Sequence, residues 1–205
     1  MTHVCLTIAL LSLVAPLSAA EERVVFEEKF DGKLAEGWSW LREDANTWRI
    51  KENALEIRVE PGKADDVKNA LLRAAPDRGK GAFAIEVTVT FSAAPTNQYE
   101  QAGLTWYRDG KPAFKLVHEL IDGNTFIIPG KVPAPDKTVQ LRLVVTKDRY
   151  TAQFRPDAKG EFKTAAEGAL PPGTKEQISI QCYNGPKDAE HWIRFKDFRI
   201  LQTSE

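Results

Sequence analysis

The chain has 205 residues, with 28 lysines and arginines against 29 aspartates and glutamates and a formal net charge of −1. A balance so close to zero argues against a nucleic-acid partner, because phosphate binding needs a cationic excess on some face. The length is ample for one hydrophobic core and is most simply a single domain.

At the N-terminus, Val4 to Leu17 is almost unbroken by polar residues and is followed by the small residues Ser18-Ala19-Ala20. This pattern predicts a secretory signal peptide over residues 1–20, cleaved after Ala20, and a secreted or periplasmic mature domain over 21–205. The n-region, Met1-Thr2-His3, lacks the usual lysine or arginine. The apolar run is shorter than the roughly 20 residues that cross a bilayer, and Glu21-Glu22 follows it, so no membrane association is expected after cleavage. Cys5 leaves with the signal peptide and Cys182 remains alone, so the mature chain is expected to be a monomer without an internal disulfide.

From Val24 onward, apolar residues recur at every second position, the period that sends alternate side chains to opposite faces of a sheet. Leu55, Ile57 and Val59 alternate with Glu56, Arg58 and Glu60, and Phe83, Ile85, Val87, Val89 and Phe91 alternate with Ala84, Glu86, Thr88 and Thr90. Ala102, Leu104 and Trp106 oppose Gln101, Thr105 and Tyr107, while Phe114, Leu116, His118 and Leu120 oppose Lys115, Val117 and Glu119. Asp109-Gly110 between these two runs predicts a hairpin. A second hairpin is expected from Val139–Thr146 and Tyr150–Arg155, and Ile178–Tyr183 and Trp192–Leu201 supply two more strands. Short strands punctuated by Gly, Pro, Asn and Asp, with no convincing helical stretch, predict an all-β sandwich or barrel of about a dozen strands.

The segments Phe26-Glu27-Glu28-Lys29-Phe30-Asp31-Gly32, Leu34, Gly37-Trp38, Trp48-Arg49-Ile50 and Ala54-Leu55-Glu56-Ile57 together resemble the opening of concanavalin A-like domains. The similarity is to the C-terminal domain of family 43 β-xylosidases and to small regulation-of-enolase-type domains. Tyr99-Glu100-Gln101-Ala102-Gly103-Leu104 resembles their central strand and Phe195-Lys196-Asp197-Phe198-Arg199-Ile200 their closing strand. The resemblance implies a jelly roll of two antiparallel sheets, one convex and one concave, with the first and last strands adjacent. It also implies a ligand, usually a glycan, lying across the concave sheet.

Gln101, Thr105, Tyr107, Lys115 and Glu119 are the polar and aromatic residues that the alternation pushes away from the core, and the hairpin would gather them on one surface. Sugar recognition needs an aromatic ring to stack on pyranose C–H groups, here Tyr107, and planar polar groups to take paired hydroxyls. An ordinary solvated sheet face reads the same way. Trp40 with Arg42 and Glu43 is a second binding candidate, unless that loop only closes one end of the sandwich. Tyr183-Asn184-Gly185-Pro186 with His191-Trp192 is a third.

Three function classes remain open: a non-catalytic, lectin-like carbohydrate-binding domain, a glycoside hydrolase, and a structural or protein-interaction domain of the cell envelope. Hydrolysis needs paired carboxylates flanking one glycosidic bond. Glu119-Leu120-Ile121-Asp122 has a spacing of three, which sends the two carboxylates to opposite faces of a regular strand. A structural calcium is conceivable at Glu28, Asp31 and Asp197, because the resemblance makes the first and last strands neighbours and calcium takes hard oxygen ligands. Asp31-Gly32 making a turn and Asp197 accepting backbone hydrogen bonds is the alternative.

Overall fold

The computed structural model describes residues 22–203; the predicted signal peptide lies outside them. Among the described residues the chain forms β1 (Arg23–Glu28), β2 (Trp38–Leu41), β3 (Trp48–Lys51), β4 (Ala54–Arg58), β5 (Ala70–Ala74), β6 (Phe83–Phe91), β7 (Gln101–Arg108) and β8 (Lys111–Ile121). It continues through β9 (Asn124–Ile128), β10 (Val132–Pro133), β11 (Thr138–Val145), β12 (Arg149–Arg155), β13 (Lys163–Ala169), β14 (Glu176–Tyr183) and β15 (Trp192–Gln202). The one helical element among them is a short 3-10 turn, Arg78–Lys80.

The strands make two antiparallel sheets. The first runs β13-β12-β11-β6-β15-β4-β3, with β1 also on β15, and the second runs β10-β9-β8-β7-β14-β5-β2. Their facing surfaces carry the alternate apolar residues, so the core lies between them. The first sheet contributes Leu55, Ile57, Ile85, Val87, Val89, Leu141, Leu143, Ile193 and Phe195, and the second Leu71, Ala102, Leu104, Trp106, Leu116, Ile178 and Ile180. Trp106 is fully buried, as its phase requires.

Strand β15 carries a feature that the period of two does not foresee. Phe195 and Phe198 are three residues apart, which on a regular strand puts them on opposite faces, yet both are fully buried in the core. The pairing of β15 with β6 shifts register between Lys196 and Arg199, and Asp197 inside this bulge sits at φ 53°. The extra residue rephases the strand. Aspartate tolerates the left-handed conformation better than most residues, and its Oδ2 accepts a hydrogen bond from the Thr88 hydroxyl at 2.9 Å.

Strands β7 and β8 pair through the Asp109-Gly110 turn, with Gln101 opposite Glu119 and Thr105 opposite Lys115. A register shift between Trp106 and Tyr107 leaves Ala113 of β8 without an opposite number. At Gly103 a Cβ would run into the Leu116 carbonyl oxygen and the Leu141 side chain, so this position admits only glycine.

Asp197→Ala is expected to cost about 1–2 kcal/mol, from the left-handed backbone and the lost Thr88 bond. Asp197→Gly should cost less, since glycine carries no Cβ penalty. Urea denaturation of the two variants checks the order.

Candidate functional site

The outer face of the second sheet gathers six of the sequence candidates: Gln101, Thr105, Tyr107, Lys115, Glu119 and Tyr183. Register places Gln101, Gly103, Thr105 and Tyr107 of β7 beside Glu119, Val117 and Lys115 of β8. On the other side stand Tyr183, Gln181, Ser179 and Gln177 of β14. Side-chain bonds knit the surface into two groups. Lys115 Nζ donates to Gln101 Oε1 at 2.7 Å and to Glu119 Oε2 at 3.0 Å, and Gln101 Nε2 donates to Glu119 Oε1 at 3.1 Å. In the second group, Gln181 Oε1 accepts from Tyr107 OH at 3.0 Å and from Ser179 Oγ at 2.9 Å.

Part of this face is covered. The segment between β4 and β5 lays Val67 and Ala64 over Tyr107, Tyr183 and Leu72, making a second small apolar cluster outside the sandwich. The segment is held by Arg42, whose Nε donates to the Val67 carbonyl at 2.7 Å. Asn69 holds it too: its side chain accepts from the Asp44 amide at 2.7 Å and donates to Thr47 Oγ1 at 2.6 Å.

These contacts correct three expectations. Tyr107 lies on the expected face, but its ring is 1% exposed beneath Val67 and Tyr183 and offers no open stacking surface. Burial pushes its phenol above the ordinary tyrosine range, and burial does the same to Tyr183. Both rings act as support for the face. Trp40 is turned the other way: it pairs with core residue Leu71 and lies with its ring centroid 4.7 Å from that of Trp48 across the edge of the sandwich. Trp40 and Arg42 therefore do not form one site. Arg42 belongs to the covering segment.

The calcium expectation fares no better. Both carboxylate oxygens of Glu28 are engaged, by the Phe30 amide at 2.9 Å and by the Ala35 amide and Trp38 Nε1 at 2.9 and 2.8 Å. Asp31 is exposed in the following turn, and Asp197 serves the β15 bulge. Among the described residues no group of three or more His, Cys, Asp or Glu side chains comes together that could hold a metal ion.

Sequence reasoning missed three residues of this region. Gln181 and Ser179 were hidden because β14 was read without its neighbours, although their phase matches that of Gln101 once the register is known. Tyr99 stands out in the sequence only as part of the central-strand motif. It is 50% exposed, has φ 66°, and its carbonyl accepts from Gln101 Nε2 at 2.8 Å, so it stands at the rim of the face. A positive φ at an aromatic residue is uncommon and marks a position held by its surroundings.

Glu100 points away from this face. Its Oε1 lies 2.7 Å from His191 Nδ1 and its Oε2 accepts from the Thr96 amide at 2.9 Å, so it clamps the loops at one end of the sandwich. The third loop cluster lies there: Asn184 Nδ2 donates to the Gln98 carbonyl and Asn97 Nδ2 to the Asn184 carbonyl. Cys182 is buried on the core side of β14, and burial pushes its thiol well above the usual range, with Glu100 and Glu60 adding to the shift.

This architecture is a concanavalin A-like β-sandwich. Among solved structures the chain is similar to the GH43 BlXynB protein from Bacillus licheniformis, with a TM-score of 0.72 and 18% identity over 85% of this chain and 39% of that one. It is also similar to a xylan beta-1,4-xylosidase from Bacillus halodurans, with a TM-score of 0.64 and 16% identity over 86% of this chain and 39% of that one. The chain thus spans about two-fifths of the length of these proteins. A third similar structure is the CBM2 module of the Dit protein of Lactobacillus casei BL23 phage J-1, with a TM-score of 0.54 and 8% identity over 91% of this chain and 98% of that one. No family model matches the sequence. No curated protein matches it either.

Two outcomes follow from the burial pattern. Tyr107→Ala is expected to destabilise the fold by about 3–5 kcal/mol, as Trp106→Ala should, because each empties a packed site; thermal denaturation measures both. Cys182, with its thiolate disfavoured by burial, should resist a maleimide or disulfide reagent at pH 8 in the native protein and react fully in denaturant.

Proposed function

We propose that the protein is an exported, non-catalytic glycan-binding domain that takes its ligand on the outer face of the second sheet. The observation that carries this reading is the pair of planar polar groups, Gln101 and Glu119, knit to half-buried Lys115 on one face and rimmed by exposed Tyr99. Amide and carboxylate planes match paired sugar hydroxyls, and an accessible aromatic ring stacks on the C–H face of a pyranose. The GH43 and carbohydrate-binding-module neighbours support a carbohydrate-related role at the level of the fold, which alone does not assign an activity.

A glycosidase needs one carboxylate to donate a proton and a second to attack or activate water across the same bond. Here both oxygens of Glu119 are bonded to Gln101 and Lys115, and Glu100 faces His191 at the end of the sandwich. This arrangement favours recognition over hydrolysis.

The test is a glycan array on the mature domain, run beside a reducing-sugar release assay on xylan, arabinan and β-glucan. Binding without sugar release is expected. Release would make the domain a hydrolase, and silence in both assays would make it a structural or protein-interaction domain. Tyr99→Ala should weaken binding about two- to tenfold, the worth of one stacking contact, without lowering the melting temperature.

A further inference from the structure

The covering segment shields the outer face of the second sheet over β14 and β5, where Tyr107, Tyr183 and Leu72 are buried beneath Val67. What stays open lies on the other side, toward β9 and β10 at the edge of the sheet. Phe126 of β9 stands directly opposite Glu119 and therefore shares its face. Beyond it, Pro133 of β10 is exposed. Phe126 is partly exposed and belongs to neither apolar cluster, so packing in the core does not account for it. The ammonium of exposed Lys131 lies 5.5 Å from its ring centroid, a surface cation–π contact that the C–H face of a sugar can replace.

At the far corner of the same open patch stands Tyr99, which is 50% exposed. Its amide donates to the Leu120 carbonyl at 2.8 Å. The side chain of Gln98, just before it, donates to Asp122 Oδ1 and accepts from the Asp122 amide, each at 3.0 Å, so the backbone at Tyr99 is fixed against the end of β8. Tyr99 precedes Gln101 by two residues on the line of β7, and Phe126 lies level with Gln101 two strands away. Neighbouring strands are about 4.8 Å apart and successive residues rise about 3.3 Å, which puts the two positions about 12 Å from each other. One pyranose ring cannot stack on both. Between them lies half-buried Lys115, whose Nζ donates to Gln101 and Glu119 and keeps the last of its three donors for a sugar oxygen.

We infer that Phe126 is a second stacking platform of the ligand site, and that the ligand is a linear oligosaccharide long enough to reach from Tyr99 to Phe126 across the Lys115 cluster. The inference rests on the glycan-binding reading above. The two rings contact different sugar units of one chain, and a disaccharide is too short to stack on both.

The probes are xylobiose and xylohexaose, arabinobiose and arabinohexaose, and cellobiose and cellohexaose, measured by calorimetry on the mature domain. For the series that binds, the hexaose should bind about tenfold or more tighter than the disaccharide. Phe126→Leu keeps an apolar side chain on the strand and removes the flat ring. It should weaken the hexaose about two- to tenfold with the melting temperature unchanged, and Phe126→Trp should keep the affinity. Groups this far apart act additively in free energy, so Tyr99→Ala combined with Phe126→Leu should weaken binding by the product of the two single effects.

If the wild-type domain binds none of the hexaoses, the glycan-binding reading fails and takes this inference with it. Equal binding of a hexaose by wild type and Phe126→Leu overturns the inference alone. So does a disaccharide that binds as tightly as its hexaose, or a double variant no weaker than the weaker single one. A melting temperature that falls in Phe126→Leu together with its affinity, with no recovery of binding in Phe126→Trp, would make Phe126 a packing residue and also overturns the assignment.

Discussion

Strand β15 is hydrogen-bonded to β6 along one edge and shares its other edge between β4 and β1. Residues Trp192–Phe195 pair with β4 and Phe198–Gln202 with β1, so two strands from distant parts of the sequence lie end to end on one long partner. The bulge at Asp197 falls at the junction. It adds the single residue that keeps Phe195 and Phe198 on the same face, and Phe198 then meets Phe26 at 6.1 Å and Trp38 at 4.9 Å between ring centroids. Trp38 belongs to the second sheet and also donates to Glu28 of β1. One inserted residue thus joins the first strand, the last strand and the edge of the opposite sheet. Without it every side chain of β15 beyond Lys196 would exchange faces.

The second sheet is constrained differently, because little of its outer face is left to water. Polar side chains there must find partners among themselves, and amides, hydroxyls and an ion pair do so more fully than isolated charges would. Lys115 is tolerable beside the covered surface because Gln101 and Glu119 take two of its three donors. Tyr107 is tolerable because Gln181 accepts its hydroxyl proton. The same requirement explains how the covering segment is attached: Arg42 and Asn69 spend their side chains on its backbone and on the turn beneath it.

Alternation made much of this legible before the structure. The phase of Gln101, Thr105 and Tyr107 against Ala102, Leu104 and Trp106 assigns two faces correctly, and the Asp109-Gly110 turn fixes which strand lies beside them. What alternation cannot carry is the identity of whatever covers a face. Val67 lies in a stretch rich in Lys and Asp without periodicity, and nothing local marks it as the lid over Tyr107. Trp40 stays ambiguous in the sequence for a related reason. Beside Arg42 and Glu43 it reads equally as a binding loop or as the closure of one end of the sandwich, and only the pairing of the short strand β2 with Leu71 turns it to the core side. Glu28 and Asp197 read as ligands because carboxylates on adjacent strands suit calcium, but each satisfies a local backbone irregularity instead.

A fold shared with GH43 proteins and a phage carbohydrate-binding module does not choose among enzyme, lectin and scaffold, so the choice falls to the state of particular carboxylates. General acid catalysis needs a carboxyl group free to hold and release a proton beside the scissile bond. Glu119 is 4% exposed and shares its oxygens between an ammonium and an amide, an arrangement that fixes it as an acceptor. Glu100, the acid just before β7, is held by two backbone amides and a histidine on the far side of the strand. Moving either into a catalytic pose would leave several buried donors unpaired, at a cost of about 1–3 kcal/mol for each. Fixed acceptors of this kind are what the recognition of hydroxyls proposed above requires.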